Sequence, residues 1–409
     1  MRKPAITRRR LLTAAPLLTA PLLPACLPVG RGPGGRSPAR SPTDTTLREL
    51  EPAQLRARAL ASAEAGETPA LVVATVHHGE IAVEHAGLAS IAEGRPVTDD
   101  SAFVWFSITK LFTATAIMQL HERSLLDIDA PVSDLLGSEF PIREPRSRSI
   151  TARDLLSHSG GLGNPSVWSW AHPAGWQRPP LAELLAQLMA EHGKNPRYLP
   201  GAGQHYSNLG YLTLGRMVEL AGGRDYETWV REEILEVLGM TRTGFRWTED
   251  MLADWAVGHS IQGGFYTKMA KRLANPEVFG APIDGWETTV PFEIDGAPYG
   301  GLIGTAGDLA KFLGAHLGYG SWQGRRILAP ATVDAMREPM RDSMGRRIDH
   351  ALGWHNDTIQ GERYYNHMGK GGGYRPAVRI WPGRGYGVVV LTNRTRYDPR
   401  PLTSIVPPR

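Results

Sequence analysis

An α+β fold is the class this 409-residue sequence predicts: one antiparallel sheet built from both chain ends, flanked by helices, with a mostly helical subdomain inserted between them. Strand-like apolar runs lie near the two ends, at Ala70–Val76 and Ile81–Val83, then at Arg363–His367, Ala377–Trp381 and Tyr386–Leu391. The stretch between about 105 and 300 carries helical periodicity broken by loops, and no internal repeat is visible. Sheet parts are therefore expected at about 45–105 and 300–398, and the helical part at about 106–299.

Residues 1–26 read as an export signal. Thr7-Arg8-Arg9-Arg10-Leu11-Leu12 resembles a twin-arginine signal, followed by an apolar run from Leu11 to Ala25. A bilayer span needs about 20 apolar residues, and this run is shorter and carries Pro16, Pro21 and Pro24. Leu23-Pro24-Ala25-Cys26 resembles a bacterial lipidation box, so Cys26 is the expected lipid attachment point despite the unusual Pro24. The expected location is outside a bacterial cytoplasmic membrane, lipid-anchored, with periplasmic or secreted forms as the alternative. Residues 27–44, rich in Gly, Pro, Ser and Arg, read as a flexible linker. Cys26 is the only cysteine, so the folded part holds no disulfide and relies on core burial. A domain of about 300 residues buries roughly three-quarters of its extended surface, which is enough.

The net charge of +4 is misleading taken whole. Residues 1–44 hold eight Arg/Lys and one acid, leaving 37 basic and 40 acidic residues, or −3, for the rest. No basic domain remains, which excludes nucleic acid as a partner. Membrane contact is expected only through the N-terminal anchor; oligomeric state is not encoded legibly.

Within the folded part, Pro52–Ala65 reads as a helix whose apolar face is Leu55, Ala59, Leu60 and Ala63. His77-His78-Gly79-Glu80 turns the first strand into the second. Ser107–Glu122 is apolar around most of its circumference and is expected to be a central, buried helix. Pro200–Gly210 is a Gly-rich loop running into a helix at Leu212–Leu220. After the last strand, Pro399, Pro401, Pro407 and Pro408 exclude a normal helix, so 399–409 is expected to be a Pro-rich tail outside the 45–398 domain. The sheet face there is then left to the N-terminal helix or to a partner.

The chemistry begins at Ser107-Ile108-Thr109-Lys110, the only serine followed three positions later by lysine. On a helix this spacing puts both side chains on one face, about 60° apart. Chance alone supplies roughly one such match in a chain of this length, so the neighbours decide its meaning. Lysine, with a usual pKa of about 10.4, serves as a base at neutral pH only if burial and the helix N-terminus depress it. Tyr206-Ser207-Asn208, on the Gly-rich loop, adds a phenol and an amide able both to donate and to accept. Tyr206 is expected to favour its phenolate beside a cationic lysine. Tyr364-Tyr365-Asn366 has the same spacing but reads as strand. His367-Met368-Gly369-Lys370 ends a strand in a run of glycines that permits close approach of an extended substrate.

These three elements, in this order, resemble the serine β-lactamase-related and penicillin-binding-protein superfamily, specifically its class C β-lactamase-like branch in a His-x-Gly variant. Asp154–Leu162, Leu238–Thr241 and Gly300–Leu309 agree, and the resemblance covers roughly residues 50–393. It implies a β-lactamase/transpeptidase-like fold and an acyl-enzyme mechanism without cofactor or metal. It also implies that Ser107 is the nucleophile, Lys110 its proton acceptor and Tyr206 a proton shuttle. Asn208 binds a substrate amide, and His367 and Gly369 lie opposite on an edge strand. The backbone N–H groups of Ser107 and Lys370 form the oxyanion hole. His367 stands where β-lactamases usually have lysine, and a mostly neutral imidazole attracts a β-lactam carboxylate less. This shifts the expectation toward a D-amino-acid peptidase, DD-carboxypeptidase-like or esterase activity on a small-molecule or peptide substrate. A class C-like β-lactamase and a non-catalytic cell-wall-binding pseudoenzyme are the alternatives. An α/β-hydrolase is excluded by the lack of Gly-x-Ser-x-Gly. Trp168, Trp170 and Trp176 are expected to pack, with an aromatic wall beside the pocket as the other reading, and His158 to stabilise its loop.

Overall fold

The computed structural model describes residues 48–142, 149–165, 167–193 and 196–408. The expected export signal, Cys26 and the 27–44 linker lie outside the described residues.

Helix α1 (Pro52–Glu64) precedes strands β1 (Ala70–His77), β2 (Glu80–Ser90) and β3 (Arg95–Pro96). Between β1 and β2, His78 and Gly79 have φ of 50° and 83°, the left-handed pair that a two-residue hairpin turn requires. Helices α2 (Thr109–Glu122), α3 (Asn208–Gly222), α4 (Phe265–Leu273) and α5 (Ala306–Leu317) follow among shorter helical turns and small strand pairs. Strands β4 (His355–Ile359), β5 (Glu362–Met368), β6 (Ala377–Trp381) and β7 (Tyr386–Thr392) complete a seven-stranded sheet in the order β4-β5-β6-β7-β1-β2-β3. All its neighbours are antiparallel, and the chain ends meet where β7 pairs with β1, from Tyr386↔His77 to Thr392↔Leu71.

Both central strands are buried on both faces, which explains why they read as continuous apolar runs. Val72, Ala74, Val389 and Leu391 face the large core shared with α2 and α5. Leu71, Val73, Val388 and Val390 face a second, outer core that includes Leu55, Ala59 and Ala63 of α1. The C-terminal segment departs from expectation here. It packs into this outer core through Leu402, Ile405 and Val406. Its prolines do exclude a long helix, yet they leave room for one helical turn at Arg400–Thr403 and a short strand at Ile405–Val406 beside Arg48–Glu49. The tail is thus part of the folded unit, and α1 does not cover the face alone.

A second difference concerns β5, which is not an edge strand because β4 flanks it. The β4 register ends at His355↔Asn366, so His367 to Lys370 run past it. Helix α2 is central as expected, with every residue from Thr109 to Leu120 buried. Among the described residues, no helix is long and apolar enough to cross a membrane.

Candidate active site

Ser107 sits in a single 3-10 turn, Phe106–Ile108, that feeds directly into α2. The turn is fixed from both sides. Strand Phe103–Val104 pairs with Ile303–Gly304, the Trp105 N–H donates to the Leu302 carbonyl (2.9 Å), and the Trp105 indole donates to the Gly304 carbonyl (3.0 Å). On the helix side the Leu302 N–H donates to Thr109 Oγ1 (3.1 Å). Phe106 itself has φ 47°, a left-handed backbone that costs a non-glycine residue about 1–3 kcal/mol and persists only where packing over-determines it. That packing comes from the end of β5. A Cβ on Gly369 would overlap the Trp105 carbonyl, and one on Gly371 would overlap the Phe106 ring. Gly369 is therefore needed for contact with the nucleophile turn, and the expected close approach is to this chain's own backbone.

At the start of α2, one turn beyond Ser107, Lys110 is fully buried. Its Nζ lies 3.3 Å from Ser107 Oγ and donates to Asn208 Oδ1 (2.8 Å) and to the Tyr299 carbonyl (2.9 Å). No carboxylate is among these partners. The rings of Tyr206, Tyr299 and Tyr211 surround the amine at 4.7, 5.1 and 5.3 Å, contacts that favour an ammonium by about 0.5–2 kcal/mol each. Burial outweighs them and holds the Lys110 amine well below its ordinary pKa. The result is an amine that gives up its proton more readily than an ordinary lysine, in hydrogen-bonding reach of a serine hydroxyl.

A correction follows for Tyr206. Burial pushes the Tyr206 hydroxyl above its usual range, and a hydrogen bond with Ser107 pulls the other way without overcoming it. Tyr206 is a protonated phenol here. Its ring rests on His158, 4.4 Å away, whose Nδ1 accepts from the Ser207 N–H (3.2 Å). His158 thus shapes the loop that presents Tyr206. Ser207 caps α3 by accepting from the Gly210 N–H, and its hydroxyl donates to the Gly163 carbonyl (2.8 Å). Asn208 opens the helix with its N–H on Asn164 Oδ1 (3.1 Å). Its side-chain carbonyl is committed to Lys110, which leaves the amide NH₂ as the group available to a substrate.

His367 does not line the pocket. It is buried, with Nδ1 against the Met368 carbonyl (3.2 Å) and Nε2 enclosed without a partner among the described residues. It joins a run of adjacent rings in edge-to-face and tilted contact, His367–His355–His350–His158, with centroids 5.2, 3.6 and 4.7 Å apart. Burial first, then the charge of Lys110 and of neighbouring histidines, holds the His367, His350 and His158 imidazoles well below the usual histidine range. Among the described residues, no group of three or more His, Cys, Asp or Glu side chains is arranged to hold a metal ion.

Lys370, by contrast, is exposed at the pocket mouth, its Nζ over the Tyr266 ring at 5.2 Å. Neither its backbone N–H nor that of Ser107 donates to a carbonyl among the described residues. The cavity that opens on Ser107, Tyr206 and Asn208 has a volume of about 360 Å³. Most of its wall comes from residues that sequence reasoning passed over: Tyr266 and Ala270 on α4, Phe279, and Phe292. Of the three tryptophans only Trp168 reaches it; Trp170 packs against Tyr299, and Trp176 stacks on His172. The amphipathic pattern of α4 was the available signal, with Tyr266, Thr267 and Ala270 on one side and Lys268 and Arg272 on the other.

The Beta-lactamase family model matches residues 55–404. Penicillin-binding protein 4 of Amycolatopsis lactamdurans is 27% identical over 333 residues, covering 80% of this chain and 81% of that one. Esterase EstB of Burkholderia gladioli is 31% identical over 185 residues, 42% of this chain and 46% of that one. Among solved structures, D-amino acid amidase of Ochrobactrum anthropi in complex with D-phenylalanine superposes with a TM-score of 0.67 at 21% identity, covering 84% and 92% of the two chains.

Proposed function

Because the chain belongs to the Beta-lactamase family and is a serine hydrolase, we propose that it cleaves ester or amide bonds of D-configured peptides or small esters through an acyl-enzyme on Ser107. The observation that carries this is the buried Lys110 amine, 3.3 Å from Ser107 Oγ and without an acidic partner among its contacts. In the proposed sequence Ser107 Oγ attacks the carbonyl carbon while its proton passes to Lys110 Nζ. The Ser107 and Lys370 N–H groups receive the oxyanion. The bond to the leaving group breaks as the Tyr206 hydroxyl protonates it, and Tyr206 regains its proton from Lys110. Water then attacks the acyl carbon as its proton passes to Lys110, the bond from the acyl carbon to Ser107 Oγ breaks, and Lys110 hands that proton to Oγ, restoring the free enzyme.

A preference for peptides and esters over β-lactams rests on His367, a neutral imidazole withdrawn from the pocket where a cation would attract a β-lactam carboxylate. Relatives that bear the names penicillin-binding protein and esterase fit the same reading. Lys370 is the one feature that favours the β-lactamase alternative, since its ammonium stands at the mouth. A fluorophosphonate is expected to add its mass to Ser107 in the wild type and nowhere in Ser107→Ala. A panel of p-nitrophenyl esters, D-Ala-D-Ala peptides and nitrocefin then ranks the substrates. Labelling that persists in Ser107→Ala would displace the nucleophile, and turnover of nitrocefin exceeding that of the esters and peptides would overturn the preference.

A further inference from the structure

We propose that the substrate carries one bulky, neutral, apolar group of aryl or medium-chain alkyl size beside its scissile bond, and that helix α4 is the wall that sets that size; this rests on the acyl-enzyme reading of Ser107. The cavity of about 360 Å³ begins at Ser107. Small-molecule sites span roughly 300–1,000 Å³, so this one admits a single compact group. Phe106, Trp168, Tyr266, Ala270, Phe279 and Phe292 supply apolar wall.

Three of the hydroxyls in the wall are already engaged, while Thr289 Oγ1 and the Asn208 amide NH₂ remain beside the scissile end. Thr267 Oγ1 donates to the Ile261 carbonyl (2.8 Å) and Thr288 Oγ1 to the Ala281 carbonyl (2.8 Å), while Ser260 Oγ pairs with Thr395 Oγ1 (2.9 Å). Only two charged side chains line the cavity among the described residues, Glu287 and Lys370. Glu287 is buried and its carboxylate is 2.6 Å from the ammonium of Lys271 on α4. That ion pair ties α4 to strand Trp286–Thr288 and neutralises the acid. Lys370 stands at the mouth against Tyr266. A charged substituent entering past the mouth would lose its water among Phe106, Trp168, Tyr266, Ala270, Phe279 and Phe292, with no unpaired charge on that wall to receive it. An apolar one gains burial on every side.

Within α4, Tyr266 and Ala270 are one turn apart and face the cavity, while Phe265 is 79% exposed on the far side. Ala270 is the smallest α4 side chain facing the cavity, so enlarging it shortens the space. Phe279 is a wall residue whose truncation lengthens it.

The test measures kcat/KM for two ester series, one varied in the acyl chain from acetyl to dodecanoyl and one varied in the alcohol chain. In one series the wild type should gain about fourfold per methylene until the cavity fills at about six to eight carbons. At that same length a terminal carboxylate should cost at least tenfold. Ala270→Trp should move the optimum to shorter chains and Phe279→Ala to longer ones. No gain in either series, or equal turnover of the carboxylate-ended ester, overturns the proposal with wild-type protein alone; an optimum unmoved in both variants also overturns it. Fluorophosphonate labelling runs alongside. Labelled Ser107 with a flat chain-length profile defeats only the substrate class, whereas unlabelled Ser107 defeats the acyl-enzyme reading beneath it.

Discussion

Lys110 shows how one residue's environment chooses between two bases. Two candidates for proton transfer, an amine and a phenol, sit within the same few ångströms of Ser107, and burial moves them in opposite directions. It favours the neutral form of each, so the amine becomes easier to deprotonate and the phenol harder. Lys110→Arg separates charge from basicity. A guanidinium does not deprotonate in a protein, so the variant keeps a donor to Asn208 but offers no base. The expected loss in kcat is about 10²–10⁴-fold, the usual value of general base catalysis, with Ser107 still in place. The sign for wild-type activity follows from the same shift. Lys110 works when deprotonated, so kcat/KM should fall as pH drops through its lowered pKa, and a rate that climbs toward acid would assign the base elsewhere.

The nucleophile turn depends on an element far from it in sequence. Phe106 holds a left-handed backbone because the end of β5 presses on Trp105 and Phe106, and only a glycine at 369 leaves space for that contact. Gly369→Ala puts a methyl group onto the Trp105 carbonyl, a rigid backbone atom that cannot step aside cheaply. The expected cost is about 1–3 kcal/mol in denaturant unfolding, together with a drop in kcat larger than the stability loss explains, since Ser107 moves with Trp105. Unchanged kcat and midpoint would show that the turn is set by its own residues. The spacing of His367 and Gly369 was visible in the sequence, but their jobs were not. A motif gives positions along the chain, and whether a histidine faces the cavity or its own neighbours depends on which strands flank it. The neighbour that His367 meets is the His355 ring on β4, 5.2 Å away and 12 positions back in the chain.

The whole molecule carries an unusual load of buried, neutral histidine. His158, His350 and His367 sit behind the site, His355 is pushed down to about 4, and His259 and His316 elsewhere to about 4 and about 3. An unfolded histidine binds its proton near pH 6.5. Between that value and each lowered folded pKa the unfolded chain holds more protons, so stability rises with pH in this window and is lost as pH falls below about 6.5. Thermal unfolding followed from pH 7.5 to 5 should show Tm declining once the pH falls below about 6.5, before ordinary carboxylates titrate at about 4. A flat Tm down to pH 5 would mean the histidines are solvated or partnered in solution.

What the sequence determined by itself was local and periodic: two β-rich ends, an all-round apolar α2 that had to be central, a serine and lysine one turn apart, and a Gly-rich loop carrying Tyr206 and Asn208. Each of these follows from residue spacing, and spacing is written in the chain. Tertiary structure decided the rest, because the quantities involved are sums over neighbours remote in sequence. The Lys110 proton is set by the absence of a carboxylate among its contacts and by Asn208 and Tyr299, 98 and 189 positions away. The C-terminal tail looked unstructured because its prolines forbid a long helix, yet Leu402, Ile405 and Val406 find burial on the outer sheet face. The cavity beside Ser107 owes its apolar character to α4, Trp168, Phe279 and Phe292, brought together from distant parts of the chain. Burial and hydrogen-bond satisfaction are properties of the packed molecule, and only folding assigns them.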